Sequence, residues 1–154
     1  MLGETVASHA IEDYLKTIYL VQQDEGRVTT SAIARRLGIA AASVTNMVKR
    51  LAEMNLVRHT PYHGVELLPA GEKIALEVVR HHRILELYLA EALGMPWDQV
   101  HAEADRLEHV ISEDLEERMA AALGRFVIQQ DYDVVGGGIV SMEGFTDQRQ
   151  SKNT

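Results

Sequence analysis

The 154-residue sequence contains no cysteine. This fits a reducing cytoplasm and removes thiolates from any metal site, leaving oxygen and imidazole as the available donors. Aromatic residues make up only 5% of the chain, so aliphatic side chains must fill the core. No apolar run approaches the roughly 20 residues that a membrane-spanning helix needs. Met1-Leu2-Gly3-Glu4 shows no basic region followed by an apolar stretch, so no secretion signal is expected. Catalytic patterns are also missing. The residues after His109 are Val110 and Ile111, which rules out the H-E-x-x-H hydrolase pattern. Gly136-Gly137-Gly138 is followed by neither a helix pattern nor a phosphate-loop lysine. The expectation is a protein that is not an enzyme.

The net charge of -8 argues at first against a nucleic-acid partner, because an acidic protein is repelled by phosphates at a distance. The total conceals an asymmetry. Residues 27–63 carry Arg27, Arg35, Arg36, Lys49, Arg50 and Arg58 against Glu53 alone. Residues 84–123 carry ten acidic residues against Arg106 and Arg118. A basic front and an acidic back suit a polyanion on one surface and cations on another.

Hydrophobic spacing predicts a first helix over residues 8–23, with Ser8 as its cap and Gly26 as its stop. Thr30 is the expected N-cap of a short helix over Ser31–Leu37, which Gly38 ends. A further helix is expected from Ala41 to about Met54, burying Val44, Met47, Val48 and Leu51. Alternation over residues 56–60 and 65–68 around Pro61-Tyr62-His63-Gly64 predicts a hairpin. Helix, glycine-containing turn, helix and hairpin together form the pattern of a winged helix-turn-helix. Pro69-Ala70-Gly71 opens a long helix to about Leu93. Pro96 begins another to about Ile111, and Ser112 caps a third over Glu113–Leu123, stopped by Gly124. The fold expected is mainly α, with a winged domain over 1–69, a helical domain over 70–124, and a partly disordered tail over 125–154. In that tail, residues 134–140 fit either a strand pair or a flexible arm.

His101, Asp105, Glu108 and His109 follow i, i+4, i+7 and i+8 spacing. On one continuous helix they fall in a sector of about 80°. Leu107, Val110 and Ile111 are neighbours, so the face borders a core. Like charges clustered there are costly unless a cation offsets them. The preceding helix offers His81, His82 and Glu86, with His82 and Glu86 one turn apart. Asp13 is a lone carboxylate beside the apolar stripe of the first helix.

Three stretches carry a resemblance to a known family: Glu12-Asp13-Tyr14-Leu15-Lys16-Thr17-Ile18-Tyr19; Ser43-Val44-Thr45-Asn46-Met47-Val48 with Leu51; and His82-Arg83-Ile84-Leu85-Glu86 with Asp105-Arg106-Leu107-Glu108-His109-Val110-Ile111-Ser112. The sequence resembles the diphtheria toxin repressor family of metal-dependent regulators, and within it the manganese transport regulators. The resemblance implies a primary metal site of Asp13, His82, Asp105, Glu108 and His109, and an ancillary site to which Glu86 and His101 contribute. It implies that Ser43, Thr45 and Asn46 face a DNA major groove, and that residues 70–123 form the interface of a homodimer. It also implies repression of metal-uptake genes at a palindromic operator.

Carboxylates stand at Asp13 and Asp105, where iron-responsive members of the family use softer ligands. An oxygen-rich, sulfur-free set suits Mn2+, with Fe2+ the alternative and Cd2+, Co2+ or Zn2+ able to bind in vitro. Lys16 departs from the pattern, because manganese-specific members can carry a second carboxylate there. Residues past 124 are too few for the SH3-like domain of larger members. Arg35, Arg36, Lys49, Arg50 and His63 are the expected phosphate contacts, and Thr45 and Asn46 the candidates for base edges. The competing reading is a winged-helix regulator of a small organic ligand, with these imidazoles and carboxylates merely structural.

Overall fold

The computed structural model describes residues 2–130, and the side chains of residues 8–124 within that range. Its chain divides into two compact units, one ending at His82 and one beginning at Arg83. The expected tail elements over 131–154 lie outside the described residues.

The first unit starts with α1 (Leu2–Glu25), which Gly26 terminates at φ 72°. Leu15, Ile18 and Val21 repeat at helical spacing and are fully buried. α1 begins earlier than expected. Ser8 is therefore inside the helix, its hydroxyl donating to Glu12 instead of capping an end. α2 (Thr30–Leu37) is capped by Thr29, not Thr30: the Thr29 hydroxyl accepts from the Ala32 N–H at 3.0 Å. Gly38, at φ 66°, closes α2 in the left-handed region. α3 (Ala41–Glu53) buries Val44, Val48 and Leu51 on one stripe.

β1 (Val57–Thr60) and β2 (Gly64–Leu67) form an antiparallel hairpin with Arg58 opposite Glu66 and His59 opposite Val65. Val57 and Val65 turn inward and join α1, α2 and α3 in one aliphatic core. Fully burying each Val, Leu or Ile stabilises by about 1.5–3 kcal/mol. The hairpin is fixed at both ends. The Val65 N–H donates to the Val28 carbonyl at 2.9 Å, and the Leu68 N–H to the Leu56 carbonyl at 3.0 Å. That second junction leads into α4 (Pro69–Leu87), whose Ala75 completes the core. The division between the two compact units falls within α4.

The second unit begins in the last turns of α4 and continues into a π-helical segment, Tyr88–Ala92, where the sequence predicts ordinary helix. α5 (Trp97–Leu107) starts at Pro96, and α6 (Glu113–Gln130) is capped by the Ser112 hydroxyl, which accepts from the Leu115 N–H at 3.2 Å. Ile84, Leu85, Ala104, Met119 and Leu123 form its core. Gly124 does not stop α6, which continues to Gln130. Val110 is 62% exposed, against the expectation that it borders the core; Leu107 and Ile111 do pack there.

Candidate functional site

α3 presents Ser43, Asn46, Lys49 and Arg50 to solvent, opposite its buried stripe. These four residues follow helical spacing, so one face carries two short polar groups and two cations. Thr45 is half-buried, and its hydroxyl donates to the Ala41 carbonyl at 3.0 Å. That internal bond leaves Thr45 a poorer reader of base edges than Asn46. Arg35 and Arg36 on α2 are exposed, but each meets an acid at the end of α1: Arg35 pairs with Glu25 at 3.0 Å and Arg36 with Asp24 at 2.6 Å. Exposed pairs of this kind contribute about 0–1 kcal/mol, so a phosphate can displace them.

The hairpin tip projects His63 and Tyr62, the latter 95% exposed and held at φ 66°. Arg27 latches this tip. Its Nε donates to the His63 carbonyl at 3.2 Å, and a second guanidinium nitrogen donates to the Tyr62 carbonyl. Sequence reasoning counted Arg27 as one more basic residue and missed this role. No local signal in the sequence marks it, because the contact depends on the hairpin packing beside Val28.

Elsewhere in the first unit, His82 is 7% exposed on α4, and its Nδ1 lies 3.2 Å from the Lys16 Nζ of α1. Asp13 stands three residues before Lys16 on α1 and is followed by Tyr14, whose hydroxyl burial pushes above the ordinary tyrosine value.

In the second unit, α5 ends at Leu107 instead of near Ile111. The final turn tightens: the Val110 N–H reaches back three residues to the Leu107 carbonyl at 3.0 Å. Glu108 is therefore the cap and His109 lies beyond the helix, so the four residues do not share one regular helical face. Their surroundings differ accordingly. Glu108 is 1% exposed, whereas the side chains of His101 and Asp105 are 69% and 48% exposed.

Two groupings result. His101 bridges carboxylates from α4 and α5, with Nδ1 2.9 Å from Glu86 and Nε2 3.6 Å from Asp105. A neutral imidazole has one N–H and can donate to only one of them. The second grouping is His109 Nε2, 3.5 Å from Glu108 Oε1, with both side chains buried. Two atoms that share one ion at about 2.1 Å, with an angle near the tetrahedral value, stand about that far apart. A buried carboxylate beside an imidazole offers one oxygen and one nitrogen donor to a divalent cation. The donor types and this spacing fit a hard to borderline metal ion.

Comparison with known proteins agrees with both halves of this description. Residues 7–65 match the family description "Iron dependent repressor, N-terminal DNA binding domain". Residues 68–133 match "Iron dependent repressor, metal binding and dimerisation domain". The iron-dependent repressor IdeR of Mycobacterium tuberculosis is 38% identical over 112 residues, covering 73% of this chain and 49% of its own. An uncharacterised helix-turn-helix transcriptional regulator of Methanocaldococcus jannaschii is 34% identical over 120 residues, covering 77% of this chain and 96% of its own. A solved manganese-dependent transcriptional repressor in complex with manganese superimposes with a TM-score of 0.68 at 41% identity, covering 74% of this chain and 52% of that one. The chain thus spans about half the length of the mycobacterial relative and nearly all of the archaeal one.

Proposed function

Because the chain belongs to the diphtheria toxin repressor family of iron-dependent repressors, we propose that it is a Mn2+-responsive repressor that binds palindromic operator DNA as a homodimer. The observation that carries the metal reading is the buried Glu108 carboxylate beside His109, in a chain without a single thiolate.

In this reading Asp13, His82, Asp105, Glu108 and His109 hold the primary ion, and Glu86 and His101 an ancillary one. A bound divalent cation supplies the charge that offsets repulsion among Asp13, Asp105 and Glu108. With that repulsion offset, α1 is held and the DNA-reading elements of the two subunits keep a fixed separation. Two α3 helices reach successive major grooves only when they stand about 34 Å apart, or a multiple of it. Ser43 and Asn46 meet bases, while Lys49, Arg50, Arg35, Arg36 and His63 meet phosphates. The effect is a shift of population toward the DNA-competent state, so DNA in turn tightens metal binding.

Iron is the second reading, favoured by the name of the mycobacterial relative. Carboxylates at Asp13 and Asp105 weigh toward manganese, as oxygen donors suit it. Regulated genes for metal uptake and a cytoplasmic location complete the proposal. No helix among the described residues is long and apolar enough to cross a membrane. Anaerobic calorimetry with Mn2+, Fe2+, Zn2+ and Co2+, paired with DNA binding at matched free-ion levels, tests it. Mn2+ should activate DNA binding at least as well as Fe2+. Activation by Fe2+ alone would replace manganese with iron, and activation by neither would refute both.

A further inference from the structure

The hairpin tip holds one exposed aromatic side chain on a tightly tied backbone. Tyr62 is 95% exposed, more than any other large hydrophobic among the described residues. It sits at φ 66°, a region that a bulky side chain seldom adopts. The backbone around it is held by residues 27 and 28. The Arg27 guanidinium donates to the Tyr62 and His63 carbonyls, with Nε 3.2 Å from the latter. The Val28 carbonyl accepts from the Val65 N–H at 2.9 Å, and a Cβ at Gly64 would collide with that same oxygen. The His63 N–H closes the turn on the Thr60 carbonyl at 3.0 Å. Folding does not account for the Tyr62 ring, because at this exposure it buries almost no apolar surface.

We propose that Tyr62 is a DNA-contacting residue, its hydroxyl donating to a phosphate oxygen of the duplex backbone, and that Arg27 is the residue that positions it. The inference rests on the DNA-binding reading above. DNA is the occupant that place and charge favour. The tip lies inside residues 7–65, which match the family's DNA-binding domain. β1 shares one core with α3, and the exposed Arg58 gives the hairpin a cation as Lys49 and Arg50 do for α3. Tyrosine is a regular donor to DNA phosphates, and such contacts fix orientation without reading sequence. Arg27 acts through the tip. A guanidinium presents its donors in a fixed fork, and here the fork is committed to two carbonyls of the wing. Arg27 therefore serves DNA binding through the shape of the wing and not as a phosphate contact.

The test is fluorescence anisotropy of the Mn2+-loaded full chain over a range of KCl concentrations, on a duplex selected by the protein and on a random-sequence duplex. It compares wild type with Tyr62→Ala, Arg27→Gln, Arg27→Lys and the Tyr62→Ala, Arg27→Gln double variant. Tyr62→Ala should weaken binding to both duplexes about tenfold, the size of a lost hydrogen bond to a charged group. The slope of log affinity against log salt should keep its wild-type value, because a neutral hydroxyl releases no counterion. Arg27→Gln should also weaken binding without changing the slope. The double variant should bind within about twofold of the weaker single variant, since two residues acting through one contact are not additive. Arg27→Lys keeps the charge but loses the fork, so it too should bind more weakly than wild type. Wild-type affinity in Tyr62→Ala overturns the contact and leaves the DNA reading intact. Wild-type affinity in Arg27→Lys, or a salt slope reduced by about 0.9 in Arg27→Gln, makes Arg27 a phosphate contact and overturns its positioning role. If the wild type binds neither duplex, the DNA reading fails and the wing contact falls with it.

Discussion

Glu108 is 1% exposed and stands beside the buried His109 ring. A carboxylate so placed offers its oxygens to a bound cation. Glu108→Ala should then lower Mn2+ affinity by more than about 100-fold, since even supporting residues around a metal cost 10–100-fold when removed. His109→Ala should act in the same direction. Calorimetry checks both variants; undiminished Mn2+ affinity in Glu108→Ala would remove Glu108 from the ligand set. Gly71 shows a purely steric constraint. A Cβ there would lie 2.1 Å from the Leu56 carbonyl oxygen, which already accepts from the Leu68 N–H at 3.0 Å. Gly71→Ala should cost about 1–3 kcal/mol in urea denaturation, as overpacked sites do. The sequence marks Gly71 as part of a helix start, but the demand for a missing side chain comes from a contact with Leu56, fifteen positions earlier.

At the scale of elements, α3 and the hairpin were readable because each declares itself locally. Val44, Val48 and Leu51 repeat at helical spacing, and strand alternation flanks Pro61-Tyr62-His63-Gly64. The end of α5 was not readable. Nothing at Glu108 or His109 breaks a helix, and the stop comes from a tightened final turn. α6 shows the converse, since Gly124 is a fair stop signal that the helix overrides. Glycine inside a helix costs about 1 kcal/mol relative to alanine, too little by itself to end one. On α3, Asn46 is exposed on the face opposite the core, and its amide can pair with an adenine edge. Asn46→Ala should cost about 1–3 kcal/mol on preferred DNA while changing binding to random-sequence duplex little. Equal losses on both DNAs in fluorescence anisotropy would make Asn46 a phosphate contact or a structural residue.

The whole molecule separates its charges. Basic residues gather over 27–63 and acids over 84–123, so a chain of net charge -8 still presents cations on the face of α3. That asymmetry, the donor types and the helix-turn-helix pattern were legible without coordinates. The contacts between distant positions were not: Lys16 with His82 and Arg27 with the hairpin tip depend on how elements pack. In the proposed mechanism, metal occupancy and DNA affinity form one linked equilibrium. The most direct measurement is fluorescence anisotropy on a duplex selected from a random pool by the Mn2+-loaded protein, titrated in Mn2+ and again in EDTA. Binding should be about tenfold tighter or more in Mn2+, within the range that allosteric coupling spans. Equal affinity in the two buffers would contradict the account.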